Sequence, residues 1–204
     1  MNSRIPYLVS CLALVALVAC RNKTATPEQT PTAPSPANST PTVTSAAAAP
    51  YDLQFLDTMA KHHTAAIQMA GMAEAKVKYP ELKKLVATIR SDQQKEVDQI
   101  RSWRDQWYPG AASAENMQMP GTGAMNMDIS QVQSTKAGPG YDVMFIDMMV
   151  PHHESAVAMS RDALEKAEHQ DIKTLAQQII DEQTREIDHM KKWKKALAKD
   201  TGRQ

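Results

Sequence analysis

Two stretches of the chain decide its fold: FLDTMAKHH at Phe55–His63 and FIDMMVPHH at Phe145–His153. They are part of a longer match, because 18 of the 53 residues in 51–103 are identical, without a gap, to those in 141–193. Repetition at a fixed offset indicates a duplicated structural unit. We therefore predict a repeat at 51–108, a linker at 109–140 and a second repeat at 141–199.

Apolar and histidine positions follow a helical period in each repeat. Phe55, Met59, His62 and Ala66 are spaced by four, three and four residues, which is the spacing of one helix face. Pro80 separates this stripe from a second one, since proline is tolerated in the first turn of a helix but not inside it. Each repeat is thus predicted to be a helical hairpin that cannot bury its apolar face alone. Two of them predict an all-α four-helix bundle over 51–199.

The composition excludes several classes of protein. Basic and acidic residues balance at 23 each, so no nucleic-acid surface is predicted. Aromatic residues are 5% and glycines only seven, which argues against a β-sandwich, a barrel or a dinucleotide-binding fold. No pattern of a nucleophile with its base or of a phosphate loop is present, so we predict no enzyme. The thirteen methionines require a reason in packing or in chemistry.

Residues 1–20 are typical of a bacterial export signal. The apolar run from Ile5 to Ala19 is too short to span a bilayer, which needs about 20 residues, but it fits a signal peptide. It ends at Cys20 in what resembles a lipobox, so we predict lipidation of Cys20. The alternative is an ordinary signal peptide with an incidental cysteine. Residues 21–50, rich in Pro, Thr and Ala, predict a disordered tether. The protein is then expected to be lipid-anchored in the cell envelope, facing the periplasm or the exterior.

Each histidine pair has methionines at helical spacing. Residues three and four apart are neighbours on a helix, so Met59 adjoins His62 and His63. Imidazole and thioether together suit copper, with Cu(I) preferred and Cu(II) as the second option, whereas magnesium and calcium take oxygen ligands. The predicted ligands in the repeats are Met59, His62, His63, Met69, Met149, His152, His153, Met159, His189 and Met190.

Two polar residues on the second helix of each hairpin are predicted to support these ligands. Gln93, Glu96, Gln183 and Glu186 occupy stripe positions where leucine would be expected. A buried carboxylate is costly unless it is paired. Pairing it with an imidazole N–H removes that cost and orients the ring for a metal.

The linker carries two M-x-M motifs, at Met117 and Met119 and at Met125 and Met127. A long connection without secondary structure is uncommon in a compact domain and often functional. We predict that these flexible methionines collect Cu(I). Because histidine must be neutral to bind a metal and has a reference pKa near 6.5, binding in the bundle is expected to weaken below about pH 6 while linker binding persists.

The pattern F-x-D-x-M-x-x-H-H, followed by Gln183, Glu186, Met190 and Trp193, resembles domain-of-unknown-function family 305. The resemblance covers 51–199 as two tandem copies. It implies a ferritin-like helical bundle and a role in copper buffering, tolerance or trafficking, since the family includes exported copper-binding proteins of the CopM type. The first repeat departs from the pattern at Lys61 and at Ile100, where the second repeat has Pro151 and Met190.

Alternatives remain open at this point. Methionines on a helix face are more often packing than ligands, and the chain could be a non-metal envelope interaction module. A ferritin-like di-iron oxidase is less favoured, because such bundles use two Glu-x-x-His motifs and only Glu186 with His189 fits one. The predicted partners are copper ions, the membrane through the lipid, and another copper-handling protein.

Overall fold

The computed structural model describes residues 48–126 and 128–201. The described residues contain no β-strand, so the all-α prediction is confirmed. The signal with Cys20, most of the tether, and Met127 lie outside the described residues. Four long helices are α1 (Tyr51–Ala73), α2 (Pro80–Trp107), α4 (Pro139–Lys166) and α5 (Gln170–Thr201), and between them lie a short 3-10 helix (Thr122–Asn126) and α3 (Ser130–Ser134).

The long helices form a four-helix bundle. The helix α1 packs along α2, α4 packs along α5, and α1 faces α4. Helices α1 and α4 run in opposite directions, because Tyr51 at the start of α1 donates a hydrogen bond to Asp162 near the end of α4, 2.8 Å away. Pro80 is the first residue of α2, as its position in the sequence predicts. None of the helices in the described residues is both long and apolar enough to cross a bilayer.

Two buried aspartates tie the hairpins together. Asp142 on α4 accepts hydrogen bonds from the backbone N–H groups of Lys78 and Tyr79, just before α2 begins. Asp52 on α1 does the same for Glu168 and His169, just before α5 begins. These N–H groups belong to the turn that precedes each helix, so each carboxylate satisfies backbone donors that would otherwise be left over. Each hairpin therefore holds the turn before the second helix of the other, an arrangement that we call cross-capping.

Removal of one of these carboxylates is expected to weaken the bundle as a whole. We predict that Asp142→Ala lowers the free energy of unfolding by about 1–3 kcal/mol, since it leaves two partly buried backbone N–H groups without a partner. Asp188→Ala, at an exposed position of α5, should change it by less than about 0.5 kcal/mol. Urea unfolding followed by circular dichroism measures both. Equal midpoints for the two variants would contradict this cross-capping.

The linker is more structured than the sequence predicts. Besides its two short helices, it has buried residues at Ala114, Met119, Thr122 and Val132. The backbone N–H of Asn116 donates to Thr58 Oγ1 on α1, at 2.9 Å. These contacts hold this part of the linker against the helices, whereas the sequence suggested flexible M-x-M methionines and left the order of the linker open.

Candidate metal centre

The two histidine pairs meet in the centre of the bundle. His62 and His63 lie on α1, and His152 and His153 on α4, with no solvent exposure at any of the four side chains. The rings of His62 and His152 meet across the α1–α4 contact, with centroids 3.7 Å apart and their planes tilted by 36°. Four imidazoles are thus collected in one buried layer, at the place where the repeats face each other.

The hydrogen bonds around His62 fix which of its nitrogens carries the proton. Ser155 on α4 has one hydroxyl hydrogen, which it donates to the carbonyl oxygen of Gly121 in the linker, 2.7 Å away. Its Oγ atom therefore accepts from Nε2 of His62, at 3.1 Å. The Nδ1 atom of His62 is buried without a hydrogen-bond partner. Its lone pair is consequently available to a ligand.

The outer histidines contact the carboxylates that the sequence predicts. Nε2 of His153 donates to Glu186 on α5 at 2.7 Å, which leaves its Nδ1 atom without a partner. Nε2 of His63 lies 2.7 Å from Glu96 on α2, but at an angle that does not make a hydrogen bond. A carboxylate behind an imidazole is the arrangement that orients metal-binding histidines.

Both ring nitrogens of His152, like those of His63, are buried without a hydrogen-bond partner. Burial lowers the pKa of His152 and of His62 well below the usual value of 6.5, and positive charge on the neighbouring histidines would lower it further. Both rings are therefore neutral at physiological pH. Neutral imidazole is the form that binds metals.

Methionines lie in the apolar packing on both sides of the histidine layer. We call the two buried groups the Met59 cluster, which also contains Met119 and Met159, and the Met69 cluster, which also contains Met149 and Met190. Five of these six side chains have no exposed surface, and Met119 is 5% exposed. Each of the two core clusters thus contains three thioethers.

The other linker methionines are placed differently. Met117 is 37% exposed and Met125 is partly buried in the 3-10 helix. Only Met119, of the linker methionines that the structure describes, enters a core cluster.

The supporting glutamines and His189 do not join the histidine layer through hydrogen bonds. Gln93 and Gln183 are buried, and the amide atoms of Gln93 and Oε1 of Gln183 have no partner. His189 is exposed on α5, in a surface cavity of about 250 Å³ that Asp92, Glu182 and Glu186 also line. Burial, followed by the charges of nearby carboxylates, raises the pKa of Glu182. This cavity is lined by three carboxylates together with the guanidinium of Arg185.

A family model, the domain of unknown function DUF305, matches residues 52–194 in one continuous segment. The chain belongs to the DUF305 family. No protein with curated functional information matches it.

Solved DUF305 and CopM structures are similar to this chain. CopM in its Cu(II)-bound form is 35% identical with a TM-score of 0.62, and CopM in its Cu(I)-bound form is 32% identical with a TM-score of 0.61. Each comparison covers 71% of this chain and 96% of the CopM chain. A DUF305 protein from Streptomyces coelicolor, named as secreted, is 25% identical with a TM-score of 0.60 and covers 72% of this chain and 88% of its own.

The donor types around this DUF305 centre fit a soft metal ion. Among residues 48–126 and 128–201, no three His, Cys, Asp or Glu side chains are arranged to hold a metal. The unpartnered atoms are imidazole nitrogens, in a layer with methionine clusters on both sides. Imidazole and thioether are the ligands that copper accepts and that Cu(I) favours.

Sequence reasoning missed the residues that orient His62. Ser155 corresponds to Ala65 in the first repeat, so the repeat gives no signal for it. Gly121 lies in the linker, and its contact with Ser155 depends on how the linker folds back over α4. A polar residue three positions after a histidine on a helix is the weak signal that was available.

Proposed function

We propose that the chain is an exported copper-binding protein that holds Cu(I) in the centre of its bundle, for buffering, tolerance or trafficking of the metal. It acts as a carrier and not as an enzyme. The imidazoles of His62, His63, His152 and His153 supply nitrogen, and the methionines of the two clusters supply thioether sulfur. Cu(II) is the second option for the same histidines.

The buried imidazole nitrogens without partners carry this proposal. Each buried polar group without a hydrogen bond costs about 1–3 kcal/mol, and the nitrogens of His62, His63, His152 and His153 include six such atoms. A layer that served only to specify packing would be expected to satisfy them. Binding of a metal supplies a partner for one nitrogen of each ring, the one that carries the lone pair, which favours a metal site over a purely structural polar core.

The relatives support the choice of metal. CopM, 32–35% identical to this chain, has structures with Cu(I), Cu(II) and Ag bound. We extend this binding to the present chain because its donors are the types that such ions prefer.

An extracytoplasmic location belongs to the same proposal. The apolar run before Cys20 fits an export signal, and one DUF305 relative is named as a secreted protein. We propose that Cys20 carries a lipid and that the segment behind it tethers the bundle to the envelope. Incorporation of radioactive palmitate in cells, lost on Cys20→Ser, tests the anchor.

Anaerobic titration of the full-length chain with Cu(I) tests the proposed binding. We expect the variant with His62→Leu and His152→Leu to lose about tenfold or more in affinity, because it removes the two central nitrogens but keeps buried volume. Gln94→Leu, at an exposed position of α2, is the matched control. Equal copper content and affinity in all three proteins would refute the proposal.

A further inference from the structure

The two methionine clusters draw their third thioether from different parts of the chain. In the Met69 cluster it comes from Met190 on α5. The residue equivalent to Met190 in the first repeat is Ile100 on α2, which lies in the Met59 cluster and has no sulfur. Met119 of the linker lies in the same cluster and supplies a third sulfur in place of the one that Ile100 lacks.

The linker holds Met119 in place through its backbone. The hydroxyl hydrogen of Thr122 is shared between the carbonyl oxygens of Met117, 2.7 Å away, and Met119, 2.8 Å away, and the Met119 N–H donates to the Asn116 carbonyl oxygen at 3.2 Å. Asn116 is itself bound to Thr58, one residue before Met59 on α1. The side chain of Met119 therefore lies in the cluster because its turn is hydrogen-bonded to α1.

The same turn reaches the histidine layer. Two residues after Met119, the carbonyl oxygen of Gly121 accepts the hydrogen bond from Ser155 that makes Ser155 an acceptor for His62. The first repeat has Ala65 where the second has Ser155, so His152 has no equivalent contact. One segment of the linker thus positions a thioether, that of Met119, and through Ser155 orients an imidazole, that of His62.

We propose that Met119 is a thioether ligand of a Cu(I) site at the Met59 cluster, together with Met59 and Nδ1 of His62, and replaces the sulfur that Ile100 does not provide. This inference rests on the proposed copper binding. It makes the linker a part of the metal site, whereas a merely apolar role for Met119 would be served equally well by leucine.

Anaerobic Cu(I) titration of the full-length chain with a competing chromophoric ligand separates these roles. Met119→Leu keeps the apolar contact and removes the sulfur, and we expect it to weaken one equivalent of Cu(I) at least tenfold. Met72→Leu, a partly buried methionine against the other cluster, is the matched control and should bind as the unchanged chain does. Adding Ile100→Met to Met119→Leu should restore the lost affinity.

A second measurement needs no stable variant. With ¹³C-labelled methionine methyl groups, one equivalent of Cu(I) should shift the Met119 resonance and leave that of Met72 in place. If Cu(I) binds but the Met119 resonance does not shift, Met119 is not a ligand. The same holds if Met119→Leu binds Cu(I) with the affinity of the unchanged chain. Either result would leave the proposed copper binding itself intact. Failure of the unchanged chain to bind Cu(I) would refute both proposals at once.

Discussion

The free energy of unfolding of the metal-free protein is expected to fall by up to about 3 kcal/mol for each pH unit below 6.5. The cause is the buried pair His62 and His152, whose pKa values burial holds well below 6.5 in the folded protein. In the unfolded chain the same rings titrate near 6.5. Urea unfolding at a series of pH values measures the slope.

The direction follows from proton binding. Below pH 6.5 the unfolded chain takes up protons on both rings while the folded protein does not, so acid favours unfolding. Each ring contributes up to about 1.4 kcal/mol per pH unit. The stability is fully present above pH 6.5, and the loss stops once the pH passes the lowered pKa values of the folded state. The lowered pKa values have a second consequence. Protons should compete with a metal for His62 and His152 only at a pH lower than the value of about 6 that the sequence predicts.

Two variants test whether the two histidines cause this slope of unfolding free energy against pH. His152→Leu should halve it, and at pH 7.5 should leave the metal-free protein as stable as before or more so, because two unpartnered nitrogens disappear from the core. Gln93→Leu removes another buried polar side chain but no titrating group, so it should change the stability without changing the slope. A slope unaffected by His152→Leu would show that other groups cause the pH dependence.

The bundle could be predicted because its signals are local. A repeat of apolar residues at helical spacing, broken by Pro80, defines both the helices and the faces that they bury. The cross-capping by Asp52 and Asp142 could not be predicted in the same way. Both aspartates are identical between the repeats, but their partners lie in the turn of the opposite hairpin, 63 to 117 residues away.

The candidate site was predictable to the same extent. The spacing of Met59 and His62 places thioether and imidazole on one face of α1, and the stripe position of Glu186 predicts a carboxylate that faces a histidine, as the His153–Glu186 hydrogen bond shows. The role of the linker was not predictable, because a Met-x-Met motif in the sequence does not show whether its methionines are exposed to solvent or packed against the helices. Burial of Met119 depends on contacts of Asn116 and Gly121 with α1 and α4.

Gly121→Ala is expected to lower the free energy of unfolding by about 2–4 kcal/mol and to disturb His62 as well. Gly121 has a φ of +87°, which costs an alanine about 1 kcal/mol or more. A Cβ atom there would also lie 2.6 Å from the carbonyl oxygen of Ser155, so the linker must move away from α4. That movement breaks the hydrogen bond that sets the proton of His62 on Nε2.

Two other glycines of the linker separate these effects. Gly110 has a φ of +73° but open space around its Cβ position, so Gly110→Ala should show the backbone cost alone, about 1 kcal/mol. Gly123 has neither restriction, and Gly123→Ala should leave the stability nearly unchanged. Urea unfolding ranks the three variants, and ¹⁵N NMR of the imidazoles reports the protonated nitrogen of His62. If Gly121→Ala matches Gly110→Ala in stability and keeps the Nε2 proton of His62, the linker does not press on Ser155 and the orientation of His62 has another source.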